Sequence, residues 1–344
     1  MTGPILTAEQ RAGLLVVVIT GGRPLLKQRP THRLLPALEA AGFGPALWVV
    51  SDRDAPDYQP APHGALEVYP HAWAYDWART HWMSSAPPTP TGFLGGFPGR
   101  EWACQEAERR GCWGILQLDD NILPRLKFVR GTAVGSDLVD AHGGLGMFAD
   151  ILGALSLSTN ARMLGAALDA VAVGARDAGT LIRPGFPYSC FVERVGEHRE
   201  PWLGPFEEDI THAFQYGSRY DGATAALVPL LHYAKEHTST TGMRVAYDST
   251  RSVQLQRLIP QGAGLGVRAT RANGRGEPRV FHTMRPGAIR NPVRVLDREL
   301  YELARTRVAD LRARWYDLEL ERNRAKVVAR AAKYPAVAGA AHRE

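Results

Sequence analysis

Residues 113–121 read WGILQLDDN, an apolar run that ends in two carboxylates and an amide, Asp119, Asp120 and Asn121. Such a run favours a buried strand, and ligands of open α/β sheets bind outside the carboxyl ends of the strands. Carboxylate and amide oxygens are the donors that Mg²⁺ and Mn²⁺ prefer. The pattern therefore predicts a site for a diphosphate and its divalent cation. A strand followed by a simple Asp/Asn turn is the alternative.

A second acidic cluster, Glu207, Glu208 and Asp209, lies in the segment GPFEEDITHAF. Asp209 stands at the start of a predicted helix over 210–216. A carboxylate there could cap free backbone N–H groups and interact with the positive end of the helix dipole. It could also act as a general base, if an acceptor hydroxyl comes within hydrogen-bond distance.

The first half of the chain has the pattern of parallel strands joined by helices. Apolar runs at 14–20 and 46–50 predict strands, separated by a helix over about 31–41, and a third strand is predicted at 66–70. Thr20, Arg23 and Asp52 follow the first two strands, and Arg100 lies on a helix predicted over 99–110. The chain contains neither GxGxxG nor GxxxxGK[ST], which argues against dinucleotide-binding and P-loop proteins.

Three further segments carry predictions. TNARMLGAALDAV (159–171) has the pattern of an amphipathic helix, and RPGFPYSCFVERV (183–195) that of strands. Apolar residues spaced by three to five from Leu296 to Leu318 predict a long amphipathic C-terminal helix. The chain is thus expected to divide into a catalytic domain, 1–250, and a basic extension, 251–344, packed on it.

Charge is distributed unevenly along the chain. Residues 251–344 hold 20 Lys/Arg and 9 Asp/Glu, a formal +11, whereas residues 1–250 hold 21 and 26, a formal −5. Nine arginines within 251–294 face a single acid, and they include Arg268, Arg271, Arg275 and Arg279. An Arg-rich segment suits the phosphates of DNA, although solvated arginines or arginines closing over a nucleotide would have the same composition.

Composition also limits the location of the protein. At 344 residues, with 45% hydrophobic and 22% charged residues, the chain is typical of globular proteins. No apolar run reaches the length of a membrane span, and the first residues lack the pattern of an export signal. The three cysteines have no metal-ligand spacing, so a reducing, cytoplasmic compartment is expected.

The order of these features resembles the GT-A glycosyltransferase fold over roughly residues 12–240. Within that class, GREWACQEAERRGCWGILQLDDNI, LSLSTNARMLGAAL and GPFEEDITHAFQYG resemble the TET/JBP-associated glycosyltransferases of phages and bacteria, which are thought to glycosylate hydroxymethylated pyrimidines in DNA. The resemblance implies an α/β fold with a GT-A-like, open and mostly parallel sheet flanked by helices, followed by an Arg-rich segment and a long C-terminal helix.

The resemblance also implies roles for individual residues. Residues of the nucleotide-sugar site would be Thr20, Arg23, Asp52, Arg100, Asp119 and Asp120. Mn²⁺ or Mg²⁺ would be held by Asp119, Asp120, Asn121 and His232, with His237 and His282 as competitors for the histidine position. Asn121 stands where the second carboxylate of a full DxD motif would be, so this sequence departs from the family pattern there. Asp209 would be the base of an inverting displacement, and Glu208 would orient hydroxyl groups.

The expected function is transfer of a sugar from a UDP-sugar to 5-hydroxymethylcytosine in DNA, without membrane contact. Arg268, Arg271, Arg275 and Arg279 would bind the DNA, and Trp73, Trp77 and Trp82 would either stack on a base or belong to the core. The alternatives are a glycan, protein or small-molecule acceptor, a nucleotidyltransferase, and a non-catalytic DNA-binding module.

Overall fold

The computed structural model describes most of the chain. The described residues are 3–59, 63–123, 127–130, 133–137, 144–168, 180–236, 250–269, 278–285 and 287–333.

Within these residues, ten strands form one sheet and two form a separate hairpin. The strands of the sheet are β1 Leu14–Ile19, β2 Leu47–Ser51, β3 Ala65–Tyr69, β4 Gly114–Asp119, β5 Lys127–Arg130, β6 Ala133–Asp137, β7 Ala161–Leu168, β8 Arg183–Pro184, β9 Cys190–Arg194 and β10 Thr224–Tyr233. The hairpin consists of β11 Ala263–Ala269 and β12 Pro278–Met284.

The order of strands across the sheet is β3-β2-β1-β4-β9-β7-β10-β5-β6, with β8 also paired to β10. Strands β3, β2, β1 and β4 are mutually parallel, and β7 is parallel to β10. Strand β9 is antiparallel to both of its neighbours. Most strands therefore point the same way, and the predicted α/β fold with a mostly parallel sheet is confirmed.

Helices cover both faces of the sheet. The described α-helices are α1 Ala8–Ala12, α2 Leu35–Ala40, α3 His71–His81, α4 Phe97–Arg109, α5 Gly144–Leu157, α6 Glu208–Gly217, α7 Thr250–Leu258 and α8 Arg298–Lys333. None of them is long and apolar enough to cross a membrane.

The two faces of the sheet bury separate cores. Helices α2, α5 and α8 pack on one face, where Leu116 and Leu118 of β4 are buried. Helices α3, α4 and α6 pack on the other, with Ile115 of β4. Helix α8 reaches the first core through Ala304 and Val308, so the basic extension contributes to it.

The prediction of a helix over 159–171 is wrong. Residues 161–168 form β7, which lies inside the sheet between β9 and β10. Ala, Met and Leu favour helices, but this segment is almost wholly buried, and burial on both faces removes the alternation by which a strand is recognised. The helix of this region is instead α5, which ends just before it.

The pairing of β1 with β4 builds one edge of the site. Ile19 is in register with Asp119, so the residues that follow each strand, Thr20 and Asp120, lie side by side at the carboxyl edge of the sheet. Both strands are almost fully buried and, apart from Gln117 and Asp119 of β4, they are apolar. A rigid, buried pair of strands thus positions the polar residues at its end.

Candidate functional site

The loop after β1 binds the buried carboxylate of Asp120. The hydroxyl of Thr20 donates to its Oδ2 at 2.9 Å, Arg23 forms an ion pair with its Oδ1, and the Nε of Arg29 lies 3.6 Å from Oδ2. Burial raises the pKa of Asp120 above its ordinary value, although both arginines and Thr20 favour the ionised form. The structure therefore brings together the predicted Thr20, Arg23 and Asp120.

Asp119 is bound by two other cations. Arg100 of α4 donates from Nη2 to its Oδ1 at 3.1 Å, and Lys235 donates from Nζ to its Oδ2 at 2.6 Å. Lys235 also donates to the hydroxyl of Ser189 at 2.7 Å. Burial alone would raise the pKa of Asp119, but Lys235 and Arg100 outweigh it, so this pKa lies well below its ordinary value.

Sequence reasoning missed two cationic members of the site, Arg29 and Lys235. Lys235 lies two residues beyond the end of β10, and it is 116 positions from Asp119 in the chain. The one available signal was a lysine following the apolar run LVPLLHY, at the end of a buried strand. A lysine there is unremarkable without the knowledge that β10 and β4 belong to the same sheet.

Arg100 links the two acidic clusters of the sequence. Besides Asp119, its guanidinium contacts Glu208, with Nε 3.3 Å from Oε1, and it lies over the ring of Trp202 at 5.3 Å from the centroid. Burial lowers the pKa of Arg100, but Asp119 and Glu208 outweigh this effect and raise it. The side chain is therefore a permanently charged bridge between β4 and α6.

The three acids at the start of α6 have different partners. Glu207 forms an ion pair with Arg251 of α7 at 3.2 Å, and Glu208 contacts Arg100. In the described part of the chain, no Lys, Arg or His side chain lies within ion-pair distance of Asp209. Its Oδ1 accepts a hydrogen bond from the N–H of Ile210 at 2.9 Å. Asp209 is thus the carboxylate of the cluster that keeps capacity for another proton donor.

The electrostatic environment of Asp209 suits a proton acceptor. Burial raises its pKa, the charge of Glu208 raises it further, and Arg100 offsets only part of the shift. Burial likewise raises the pKa of Glu207 to about 7. A carboxylate whose pKa lies nearer neutrality is a stronger base than an ordinary aspartate, which is the property required of a general base.

Two non-glycine residues of the described chain have positive φ, and both lie at this site. Ser189, at φ 53°, receives the hydrogen bond from Lys235, and Glu207, at φ 54°, precedes α6. This left-handed conformation costs roughly 1 kcal/mol or more per residue and persists only where the surroundings impose it. Its occurrence on both sides of the Arg100 bridge supports a functional role for the cluster.

The predicted metal ligands are not assembled as a set. Among the described residues, no three His, Cys, Asp or Glu side chains are placed so that they could hold a metal ion. His232 is buried in β10, with Nε2 2.9 Å from the carbonyl oxygen of Pro229. Asn121 donates from Nδ2 to the carbonyl oxygen of Glu236 at 3.1 Å.

Asp119 and Asp120 form an acid pair at the end of β4. The chemistry of the possible metal ligands also argues against a divalent ion at this acid pair. The carboxylates of Asp119 and Asp120 are each already engaged by two cationic side chains. The Oδ1 of Asn121 is buried without a hydrogen-bond partner in the described residues, but a single neutral oxygen does not replace two carboxylates. The residues as placed do not fit Mn²⁺ or Mg²⁺.

Asp52 lies just beyond the end of β2, where it caps the next helix. Its Oδ1 accepts a hydrogen bond from the N–H of His71, the first residue of α3, at 2.9 Å. This contact is that of a carboxylate that satisfies a backbone N–H at the start of a helix. Its predicted place in the nucleotide site stays a prediction.

The tryptophans of α3, and Trp82 directly after it, are half-buried packing residues. Trp73 stacks on Trp77 with ring centroids 6.1 Å apart, and it meets Trp102 of α4 edge-on at 4.9 Å. Trp82 donates from Nε1 to the carbonyl oxygen of Ala86 at 2.6 Å. These contacts favour the packing interpretation over stacking on a base.

Only part of the predicted DNA-binding arginine set lies in the described chain. Arg268 and Arg279 face each other across the β11–β12 hairpin, as judged from backbone register. Arg271 and Arg275 lie outside the described residues, so DNA binding by this set stays a prediction.

Comparisons with known proteins give little beyond this geometry. No family model and no curated relative matches the chain. A mycobacterial protein of known crystal structure is similar with a TM-score of 0.42 and 10% identity, over 80% of this chain and 85% of the other. Mannosyl-3-phosphoglycerate synthase from Rubrobacter xylanophilus is similar with a TM-score of 0.43 and 14% identity, over 83% and 91%. At these scores neither likeness carries an argument about this chain.

Proposed function

We propose that this chain is a glycosyltransferase of the GT-A type that uses a nucleoside diphosphate sugar, and that UDP is the nucleotide. The observation that carries the proposal is the position of Asp209. It is a carboxylate without an ion-pair partner among the described residues, burial and the charge of Glu208 raise its pKa, and it follows Glu208, whose carboxylate lies 3.3 Å from Arg100. A base with a raised pKa therefore lies close to a cationic group that suits a departing diphosphate.

The proposed reaction is an inverting displacement. Asp209 accepts the proton of the acceptor hydroxyl while the hydroxyl oxygen bonds to the anomeric carbon of the sugar. The bond between that carbon and the diphosphate oxygen breaks, and the diphosphate leaves with the electron pair. Arg23 and Arg100 stabilise the negative charge of the leaving group. Glu208, held in place by Arg100, orients hydroxyl groups of the sugar or acceptor.

We further propose 5-hydroxymethylcytosine in DNA as the acceptor. Two features of the sequence support this choice, namely its resemblance to DNA-modifying glycosyltransferases and the formal charge of +11 over residues 251–344. Duplex DNA would have to present the base by flipping, or the enzyme would act on single strands. A glycan, protein or small-molecule acceptor is the alternative within the same reaction class.

The test is mass spectrometry of nucleosides from hydroxymethylcytosine-containing DNA that has been incubated with the protein and a panel of UDP-sugars, with and without Mn²⁺. Asp209→Asn is the control, because it keeps the shape of the side chain and removes the base. A hexose or N-acetylhexosamine mass increment with the wild type alone would support donor, acceptor and base together.

Other outcomes separate the alternatives. Hydrolysis or transfer of the UDP-sugar without modification of DNA would contradict the DNA acceptor and favour a glycan, protein or small molecule. Release of pyrophosphate from a nucleoside triphosphate and a sugar phosphate would indicate a nucleotidyltransferase. DNA binding that is unchanged in Asp209→Asn, with no turnover of any donor, would indicate a binding module.

A further inference from the structure

Four cationic side chains from three parts of the chain surround the acid pair. Arg23 and Arg29 come from the segment after β1, Arg100 from α4, and Lys235 from the segment after β10. Two of them have a second acidic partner, since Arg29 pairs with Glu236 at 3.1 Å and Arg100 with Glu208. All four side chains are mostly buried, with exposures between 6% and 21%. The cations are therefore fixed by the fold rather than free in solvent.

Two of the three arginines retain hydrogen-bond donors that no acceptor in the described part of the chain satisfies. Within the described residues, Nε of Arg23 and Nη1 of Arg100 are buried and have no hydrogen-bond acceptor, whereas Nε of Arg29 lies 3.6 Å from Oδ2 of Asp120. Buried guanidinium donors are normally satisfied, because an unpaired one loses its hydration without compensation. Guanidinium groups match phosphate oxygens in geometry and charge. The unsatisfied donors thus indicate that an anion with several oxygens completes the site.

Lys235 occupies a position in which an ammonium group can replace a metal ion. Its backbone pairs with that of Ile122, in the segment after β4, so the side chain starts from a fixed point. Two of the three ammonium protons are donated to Asp119 and Ser189. One proton remains for a ligand. A fixed positive charge on a strand-end carboxylate is the electrostatic contribution that a divalent ion makes in a metal-dependent site.

The proposal rests on the nucleotide-sugar donor proposed above. We propose that this chain binds the diphosphate of its donor without a divalent metal, with Lys235 and the arginines Arg23, Arg29 and Arg100 supplying the positive charge. A divalent ion at the acid pair would have to displace these four groups or remain beside them against their repulsion. Asn121, at the position where the family pattern has a second carboxylate, fits this arrangement because a site without a metal needs no second carboxylate ligand.

The test compares three titrations of the full-length protein by isothermal calorimetry. Mn²⁺ alone is titrated first, then UDP in the presence of EDTA, then UDP in the presence of Mn²⁺, with GDP as a second nucleotide. We expect no binding of Mn²⁺ alone, and equal affinity for the diphosphate with Mn²⁺ and with EDTA. The titrations do not depend on turnover, so they need no knowledge of the acceptor.

Lys235→Met removes the charge and keeps the length of the side chain. We expect its affinity for UDP in EDTA to fall about tenfold or more, the loss of one charge-assisted hydrogen bond. Lys326→Met is the matched control, since Lys326 is exposed on α8 and its loss should leave the affinity unchanged. Circular dichroism would show whether Lys235→Met folds. If it does not, the titrations of the wild type still decide the question.

Binding of about one Mn²⁺ per chain that is lost in Asp119→Asn would overturn the proposal, as would UDP binding that requires Mn²⁺. Failure of the donor itself gives a different result. If neither UDP nor GDP binds under any condition, the nucleotide-sugar function fails and this inference fails with it. Metal-dependent binding would overturn the inference alone and leave the proposed function intact.

Discussion

At the scale of single residues, the carboxylates of the site differ in whether they have a cationic partner. Asp119, Asp120, Glu207 and Glu208 each have a cationic partner. Asp209 has none among the described side chains, and burial together with Glu208 raises its pKa. The folded protein therefore stabilises the ionised form of Asp119 and disfavours that of Asp209. Two adjacent acids in the sequence, Glu208 and Asp209, consequently have different electrostatic environments.

This difference predicts that Asp209→Asn stabilises the protein while it abolishes transfer. Because the pKa of Asp209 is raised in the folded state, that state binds the proton more tightly than the unfolded chain does. Stability from this group is complete below its ordinary pKa of 3.8 and is lost as pH rises through the raised value. At neutral pH and above, the melting temperature of Asp209→Asn should exceed that of the wild type by roughly 2 °C, measured by calorimetry.

The pH dependence supplies the check on this prediction. The stability advantage of Asp209→Asn should shrink as pH falls from the raised pKa toward the ordinary value of 3.8, and it should be absent below about 4, where the wild-type carboxyl is protonated in both states. The rate of transfer by the wild type should rise with pH through the pKa of Asp209, because only the ionised form accepts a proton. An equal difference in melting temperature at acidic and alkaline pH would contradict the assignment.

At the scale of elements, the site depends on strands and helices whose positions are set by close packing far from it. Helix α5 packs on the face of the sheet opposite α4 and contacts α2. The contact requires a glycine, since a Cβ at Gly146 would lie 2.4 Å from the carbonyl oxygen of Ala37 and 2.6 Å from the Cβ of Ala41. Both neighbours are short or backbone groups, so neither can move aside cheaply.

We therefore expect Gly146→Ala to lower the free energy of unfolding by about 2 kcal/mol, even though alanine favours helices over glycine by about 1 kcal/mol. Denaturant unfolding monitored by circular dichroism measures the change. Gly44→Ala is the control, because a Cβ at Gly44 meets nothing within 4 Å. The control should stay within about 0.5 kcal/mol of the wild type. A similar small effect for both variants would show that α2 and α5 adjust at little cost.

At the scale of the whole molecule, positive charge is concentrated in residues 251–344, whereas the hydrophobic core includes residues from both parts of the chain. Residues 251–344 carry a formal +11, yet Ala304, Val308 and Leu311 of α8 are buried in the same core as β1 and β4. Helix α7 contacts the site through Arg251, which lies 3.2 Å from Glu207. The hairpin contacts it through His282, which lies 3.8 Å from Glu207. The basic region is thus attached to the rest of the protein at the core and at the acidic cluster.

If the Arg-rich segment binds DNA, reversing charge at Arg271 and Arg275 should weaken binding and flatten its dependence on salt. The slope of log affinity against log salt falls by about one for each phosphate that the protein no longer neutralises. Affinity for UDP should stay unchanged. Filter binding or fluorescence anisotropy over a range of salt concentrations measures the slope, and calorimetry measures UDP affinity.

Arg324→Glu with Arg330→Glu is the matched control, since both arginines are exposed near the end of α8. That pair changes net charge by the same amount at a different place. Equal weakening by both pairs would indicate attraction by net charge alone, whereas loss of UDP affinity in the first pair would place Arg271 and Arg275 over the nucleotide.

The sequence by itself determined several local elements and the residues at their ends. Long apolar runs with polar residues after them identified β1, β2 and β4, and the spacing of apolar residues identified α8, because these patterns follow from burial of one side chain after another. Asp119, Asp120, Thr20 and Arg23 could be grouped from such patterns, since parallel strands place their carboxyl ends at one edge. The acidic residues at the start of α6 could be identified from the sequence in the same way.

Only the tertiary structure decided how distant parts meet. The antiparallel β9 between β4 and β7, the strand at 161–168 and the contact of Lys235 with Asp119 depend on pairings between residues far apart in sequence, which local propensity does not encode. The differences in pKa among the carboxylates also depend on the tertiary structure, because the pKa of each depends on the cations that the fold brings to it. Sequence specified which groups were available, and burial with pairing specified what each of them can do.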